Sequence, residues 1–235
     1  QASASMGIQQ VLLRLEQRPE ASKSMVYLSP LIAVVMTIVT AMFMFALLGV
    51  DPIKAVSTFF IEPISSLDGL TELCVKATPL ILIGVGLAIG FQANVWNIGA
   101  EGQLVIGALA GGGLALAFYD QSSIFLVPAM LICGTLGGLA WAAIPAWLKT
   151  RFNTNEILTS LMLTYVGLLV LSYLVHGPWK DPEGMNFPES RLFHDSALLP
   201  ILINETRLNV GWLLALLAVA LGWALISRHI VGFQV

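Results

Sequence analysis

The sequence predicts an all-α polytopic membrane protein: a transmembrane bundle of about six spans, with a broken-helix hairpin between spans two and three. Composition is the first observation behind this. Hydrophobic residues make up 57% of the 235 residues and charged residues only 11%, whereas a soluble domain carries roughly a quarter charged residues. The second is a mean hydropathy of +0.85. The third is the recurrence of uncharged apolar stretches at 25–50, 77–91, 103–119, 122–148, 157–175 and 208–227, since a helix needs about 20 apolar residues to cross the hydrocarbon core.

The elements follow in order. Residues 1–25 read as a cytoplasmic leader carrying Arg14, Arg18 and Lys23, and 26–235 as the transmembrane domain. The first apolar run is too long for a signal-peptide core and reads as a retained span. Lys149 and Arg151 mark a short turn after the fourth stretch, and Arg228 follows the sixth. Basic residues crowded at span ends mark the cytoplasmic side, which sends 51–76, 120–121 and 176–207 to the opposite face. Asn153-Thr154-Asn155-Glu156 opens the fifth span as a capping box, with the Asn153 side chain on a backbone amide and Glu156 reaching back. The Pro- and acid-rich stretch 177–188 reads as a long outer loop.

Several features are structural on this reading. Trp147 and Trp212 fall near span ends, where an indole prefers the headgroup layer. The pairs Gly86/Gly90, Gly107/Gly111 and Gly134/Gly138 have the four-residue spacing that lets helix backbones approach closely in lipid. Cys74 and Cys133 are the only cysteines and read as packing residues. His176, His194 and His229 lack ligand spacing, so no metal site is expected. A net charge of −3 with no basic, aromatic-interleaved run drops nucleic acid from the candidate partners.

Chemistry concentrates between the second and third stretches, both short for spans. A polar, glycine-bearing break between short apolar segments is a mark of discontinuous transporter helices, and irregular backbone at membrane depth must line a cavity or be buried in protein. Within the break Asn94, Asn97 and Gln103 supply neutral donors and acceptors, Phe91 and Trp96 supply aromatic faces, and Glu101 supplies a carboxylate. These six are the candidate pathway residues, and their chemistry suits a neutral hydroxyl-rich or heterocyclic solute. Two plainer readings stand beside this one. Asn97 caps the following helix while Glu101 complements its dipole, or the break is an ordinary cytoplasmic turn with Trp96 as an interfacial anchor. An intramembrane carboxylate also keeps open a proton- or ion-coupled transporter or channel.

The run Ala77-Thr78-Pro79 through Phe91, the run Trp96-Asn97-Ile98-Gly99-Ala100-Glu101-Gly102-Gln103, the segment 155–165 and His176-Gly177-Pro178-Trp179-Lys180-Asp181-Pro182 resemble successive segments of bacterial ABC-importer permeases for nucleosides and simple sugars. That resemblance implies a helical bundle of the type II importer kind in the bacterial inner membrane. It implies a second permease subunit, a periplasmic or lipid-anchored solute-binding protein and separate ABC ATPase subunits as partners. No cofactor is expected on this chain and no catalysis. The sequence has no Gly-x-x-x-x-Gly-Lys-Ser/Thr phosphate loop, which agrees with ATP being bound by another chain. Family permeases are longer. The segment that contacts the ATPase is expected to begin near Ser227 and to continue past Val235, so the C-terminal part of the family domain is expected to be missing.

Overall fold

A computed structural model describes residues 23–228. It is all-helical among the described residues, with six helices long and apolar enough to cross a membrane. Most of the leader and the stretch 229–235, where the ATPase-contacting segment was expected to begin, lie outside the described residues. The chain divides into two compact units that meet between Ser65 and Ser66.

The first unit holds α1 (Lys23–Leu47), α2 (Pro52–Phe60) and α3 (Glu62–Ser65). Its apolar α1 is 25 residues long and contains Pro30, about 37 Å of helix at 1.5 Å per residue and ample for a span. Asp51 starts α2: its side chain accepts from the N–H groups of Ile53 (2.9 Å) and Lys54 (3.3 Å), and Pro52 occupies the first helical position, where a missing N–H costs nothing. Phe59 of α2 stacks on Phe45 of α1, ring centroids 6.1 Å apart.

The second unit holds α4 (Leu67–Gln92), α5 (Ala100–Ala117), α6 (Leu126–Phe152), α7 (Glu156–His176) and α8 (Gly211–Arg228). The second span is not short. Ser66 caps α4 through the Gly69 N–H at 3.0 Å, and the helix runs 26 residues. Asp68, Glu72 and Lys76 hid its first turns from a search for uncharged residues, because helix formation tolerates charges at a wet end. Glu72 there meets Arg207 at 3.5 Å. Helices α5 and α8, at 18 residues each, are the short ones, about 27 Å against a core of roughly 30 Å.

Helix α5 is the most enclosed of the six spans. It runs antiparallel to α6, and the glycine spacings explain how closely. A Cβ on Gly107 would lie 2.9 Å from the Gly134 carbonyl oxygen, and one on Gly111 3.0 Å from that of Met130. On α7, Gly102 sits so close that a Cβ would come within 2.7 Å of the Thr164 Cα. The Gly86/Gly90 pair plays no such part, since Gly86 has open space and Gly90 meets only the Val95 carbonyl at 3.4 Å. Helix α4 instead packs on α8, where Gly222 receives Val85.

The cap of α7 is shifted from its expected place. Asn155, not Asn153, accepts from the Ile157 and Leu158 N–H groups at 3.0 and 3.4 Å. Asn153 ends α6 in the left-handed region at φ 52°, its N–H on the Lys149 carbonyl, a conformation asparagine tolerates better than most residues. Glu156 does not reach back but pairs with Lys149. Asn155→Ala is therefore expected to lower stability by about 1 kcal/mol, while Asn153→Gly should be neutral or slightly stabilising. Thermal unfolding of the detergent-solubilised protein measures both, and the reverse order would contradict the cap assignment.

Candidate functional site

The break between α4 and α5 is built by backbone hydrogen bonds. The Asn94 N–H bonds the Phe91 carbonyl at 3.0 Å and the Val95 N–H bonds that of Gly90 at 2.9 Å, while Asn94 itself has φ 54°. This is the paired-bond termination in which a left-handed residue closes a helix, and it gives Asn94 a structural task. Beyond it, the Asn97 and Gln103 carboxamides bond reciprocally: Asn97 Nδ2 donates to Gln103 Oε1 at 3.1 Å and Gln103 Nε2 donates to Asn97 Oδ1 at 3.3 Å. Asn97 Oδ1 also accepts the Gly99 N–H at 2.9 Å, which holds the chain as it enters α5. The Ile98 N–H donates to Ser160 Oγ at 3.2 Å, and Ser160 is 2% exposed.

The other candidates fall elsewhere. Phe91 and Trp96 contact each other, centroids 5.2 Å apart at 44°, and both are about half exposed. Glu101 is exposed on the first turn of α5. Of the six sequence candidates the structure therefore brings Asn97 and Gln103 together, and Phe91 with Trp96, but not all six around one space.

Asn97 and Gln103 line a cavity of about 490 Å³ between α4 (Leu82, Ile83, Gly86, Leu87) and the α5/α6 pair. A second cavity of about 560 Å³ continues along α5 and α6 toward Phe193 and Asn209. The two share Gln103, Leu104, Gly134 and Thr135, and together they form a groove from the break to the far end of the unit. No Asp, Glu, Lys or Arg lines either cavity. Thr135, Asn209 and Phe193 escaped sequence reasoning. Thr135 is an isolated hydroxyl in an apolar helix, back-bonded to the Leu131 carbonyl at 2.7 Å, and Asn209 sits in a loop, where nothing local points into a groove.

The break lies at one end of the unit. Ile98 meets Ser160, one turn into α7, and the Trp96 backbone amide lies beside the Glu156 carboxylate. Because α4 and α8 run parallel, the same end carries Lys149, Arg151 and Arg228. One helical turn is about 5.4 Å, so the irregular backbone is close to the basic end and far from the middle of α7. The reading of the break as a turn at the basic end fits this placement, and the carboxamide pair above it is what reaches into the groove.

Comparison with known proteins fits this architecture. The glucose ABC transporter permease protein of Haloferax volcanii is 36% identical over 96% of this chain and 61% of its own length. The guanosine ABC transporter permease protein of Bacillus subtilis is 30% identical over 88% of the chain and 60% of its own length. The nucleoside ABC transporter permease protein of Lactococcus lactis is 25% identical over 91% and 61% respectively. The chain thus spans about 60% of the length of these relatives. No solved structure matches it. Residues 69–235 match the family described as "Branched-chain amino acid transport system / permease component", and the chain belongs to that family of multi-pass membrane permeases.

Proposed function

We propose that this chain is the membrane-spanning part of an ATP-driven importer that moves a sugar or nucleoside inward by alternating access. Its N-terminus is cytoplasmic, and the basic end of the second unit faces the cytoplasm. A solute-binding protein delivers the solute on the opposite face, ABC ATPase subunits dock on the cytoplasmic face, and a second permease subunit completes the pathway. The family and the names of the relatives support the class. The observation that carries it is the uncharged groove along α5 and α6, with the Asn97/Gln103 carboxamides at its inner end. Neutral amides exchange hydrogen bonds with hydroxyls and ring nitrogens without the desolvation cost of a charge. An ion-coupled mechanism has no support from this groove, since Glu101 is not on its wall.

Phe91, Asn94, Trp96 and Glu101 form the inner mouth on this reading, and Asn97 and Gln103 form its lining. Uptake of labelled glucose and guanosine by cells carrying the full transporter tests the assignment. Asn97→Ala leaves the Gln103 amide without its partner, a loss of about 1–3 kcal/mol, and should cut uptake about tenfold with membrane insertion intact. Trp96→Ala should reduce it less. Unchanged uptake in both variants would remove the break from the pathway.

A further inference from the structure

A third cavity, of about 410 Å³, lies at the end of the unit opposite the break, over the last turn of α5. Its wall is unlike the groove. Trp179 and Tyr119 supply aromatic surface, Lys180 and Arg191 supply cationic donors, and Gly113 of α5 closes one side. Each of these groups is positioned. A Cβ on Gly113 would come within 3.0 Å of the Trp179 six-membered ring, so the bare glycine backbone is what lets the indole lie this close. The Arg191 guanidinium lies 5.6 Å from the Tyr119 ring centroid, a cation–π contact that places it on the cavity wall. Lys180 Nζ bonds Asn186 Oδ1, and the Lys180 and Ser190 backbones bridge, holding the two sides of the loop together.

Aromatic and basic residues at a membrane end commonly anchor to headgroups. Here they line a cavity over the end of α5, the most enclosed span, and the Trp179 ring packs against the α5 backbone at Gly113. Both aromatic side chains are half-buried. By contrast Phe91 and Trp96, the aromatic pair at the other end, line neither cavity of the groove. A stacking surface edged by donors binds a flat ring with polar substituents: the apolar ring face packs on the indole while hydroxyl or carbonyl oxygens accept from the rim.

We propose that the Trp179/Tyr119/Arg191 cavity is a binding site for a neutral, hydroxyl-bearing ring solute, a sugar or a nucleoside, where the solute engages the permease before it enters the groove. The site rests on the transport reading for its role but not for its existence. Two measurements on the full permease, the second within its transporter, separate these. In the first, the purified protein in lipid nanodiscs is titrated with D-glucose, with guanosine and with inorganic phosphate, reading the difference in tryptophan emission between the wild type and Trp179→Phe. A saturable difference with glucose or guanosine is expected, and whichever compound gives it identifies the ring. A response to phosphate alone would overturn the proposal in favour of a headgroup site, and no response to any of the three would also overturn it.

In the second, uptake kinetics are compared. Trp179→Leu should raise KM about tenfold, the scale of a lost aromatic stack, with maximal rate within about twofold, and Trp179→Phe should stay near the wild type. Arg191→Gln, a change at an exposed position, should raise KM less. Unchanged KM in both Trp179→Leu and Arg191→Gln overturns the site while leaving the transport reading intact. Binding retained with no wild-type uptake of either solute overturns the transport reading and leaves the site.

Discussion

Gly102→Val should cost the protein about 3 kcal/mol or more, toward the upper end of overpacking penalties, and most of the folded yield. A Cβ at this position would lie 2.7 Å from the Thr164 Cα and 3.2 Å from its nitrogen. Both obstacles are backbone, so no rotamer change relieves the clash and α5 must move away from α7. That motion would also pull Gly99 from Ser160 and break the Ile98 hydrogen bond that seats the break. Gly84, with nothing within 4 Å of its Cβ position, is the control: Gly84→Ala should change stability by less than about 0.5 kcal/mol or raise it, through better helix propensity. Thermal unfolding in detergent, with yield from the membrane fraction, checks the pair. Equal stability for the two variants would mean that the α5/α7 contact is looser than described.

The second large effect is expected at Gln103. It is the one carboxamide that lines both cavities of the groove, and it is hydrogen-bonded to Asn97 in both directions. Gln103→Leu keeps the volume and removes both bonds, leaving the half-buried Asn97 amide partly unsatisfied. The expected result is an uptake loss of about tenfold to a hundredfold, the equivalent of roughly 1.4–2.8 kcal/mol, with the protein still inserted and folded. Measured uptake within twofold of the wild type would sink the groove as the route.

Much of the architecture was legible because lipid imposes a simple rule. Backbone polar groups must be satisfied within each span, so uncharged length alone located all six spanning helices. The rule fails where helices leave the apolar layer. Helix α4 gained its first turns from Ser66, Asp68 and Glu72, residues that read as loop in a hydropathy scan. Spacing identified Gly107, Gly111, Gly134 and Gly138 as contact positions, yet the same spacing misled at Gly86 and Gly90, since a pattern says which face is small and not whether another helix lies against it. Gly102 and Gly222 make close contacts with no such paired signal.

The candidate site divides in the same way. The Asn97/Gln103 pair was accessible to sequence reasoning because the six-residue separation straddles a helix start. Asn94, a candidate for the solute pathway, also has a structural task that its place in the sequence does not announce: a left-handed backbone that ends α4. Trp179, Tyr119 and Arg191 come together only through the folding of 177–194 over α5, a long-range arrangement that no local spacing encodes.

One feature of the packing bears on how such a unit could work as a machine. Within the second unit α5, α6 and α7 lock together through backbone-to-backbone contacts that admit no side chain, whereas α4 pairs with α8 through Val85 in the Gly222 notch. These are two blocks, joined in the chain by the link 93–99 and by the loop 177–210, and the cavity at Asn97 and Gln103 is the gap between them. Interlocked backbones resist sliding, and a gap does not. A shear of one block past the other would therefore change the width of that gap while preserving the glycine contacts within each block.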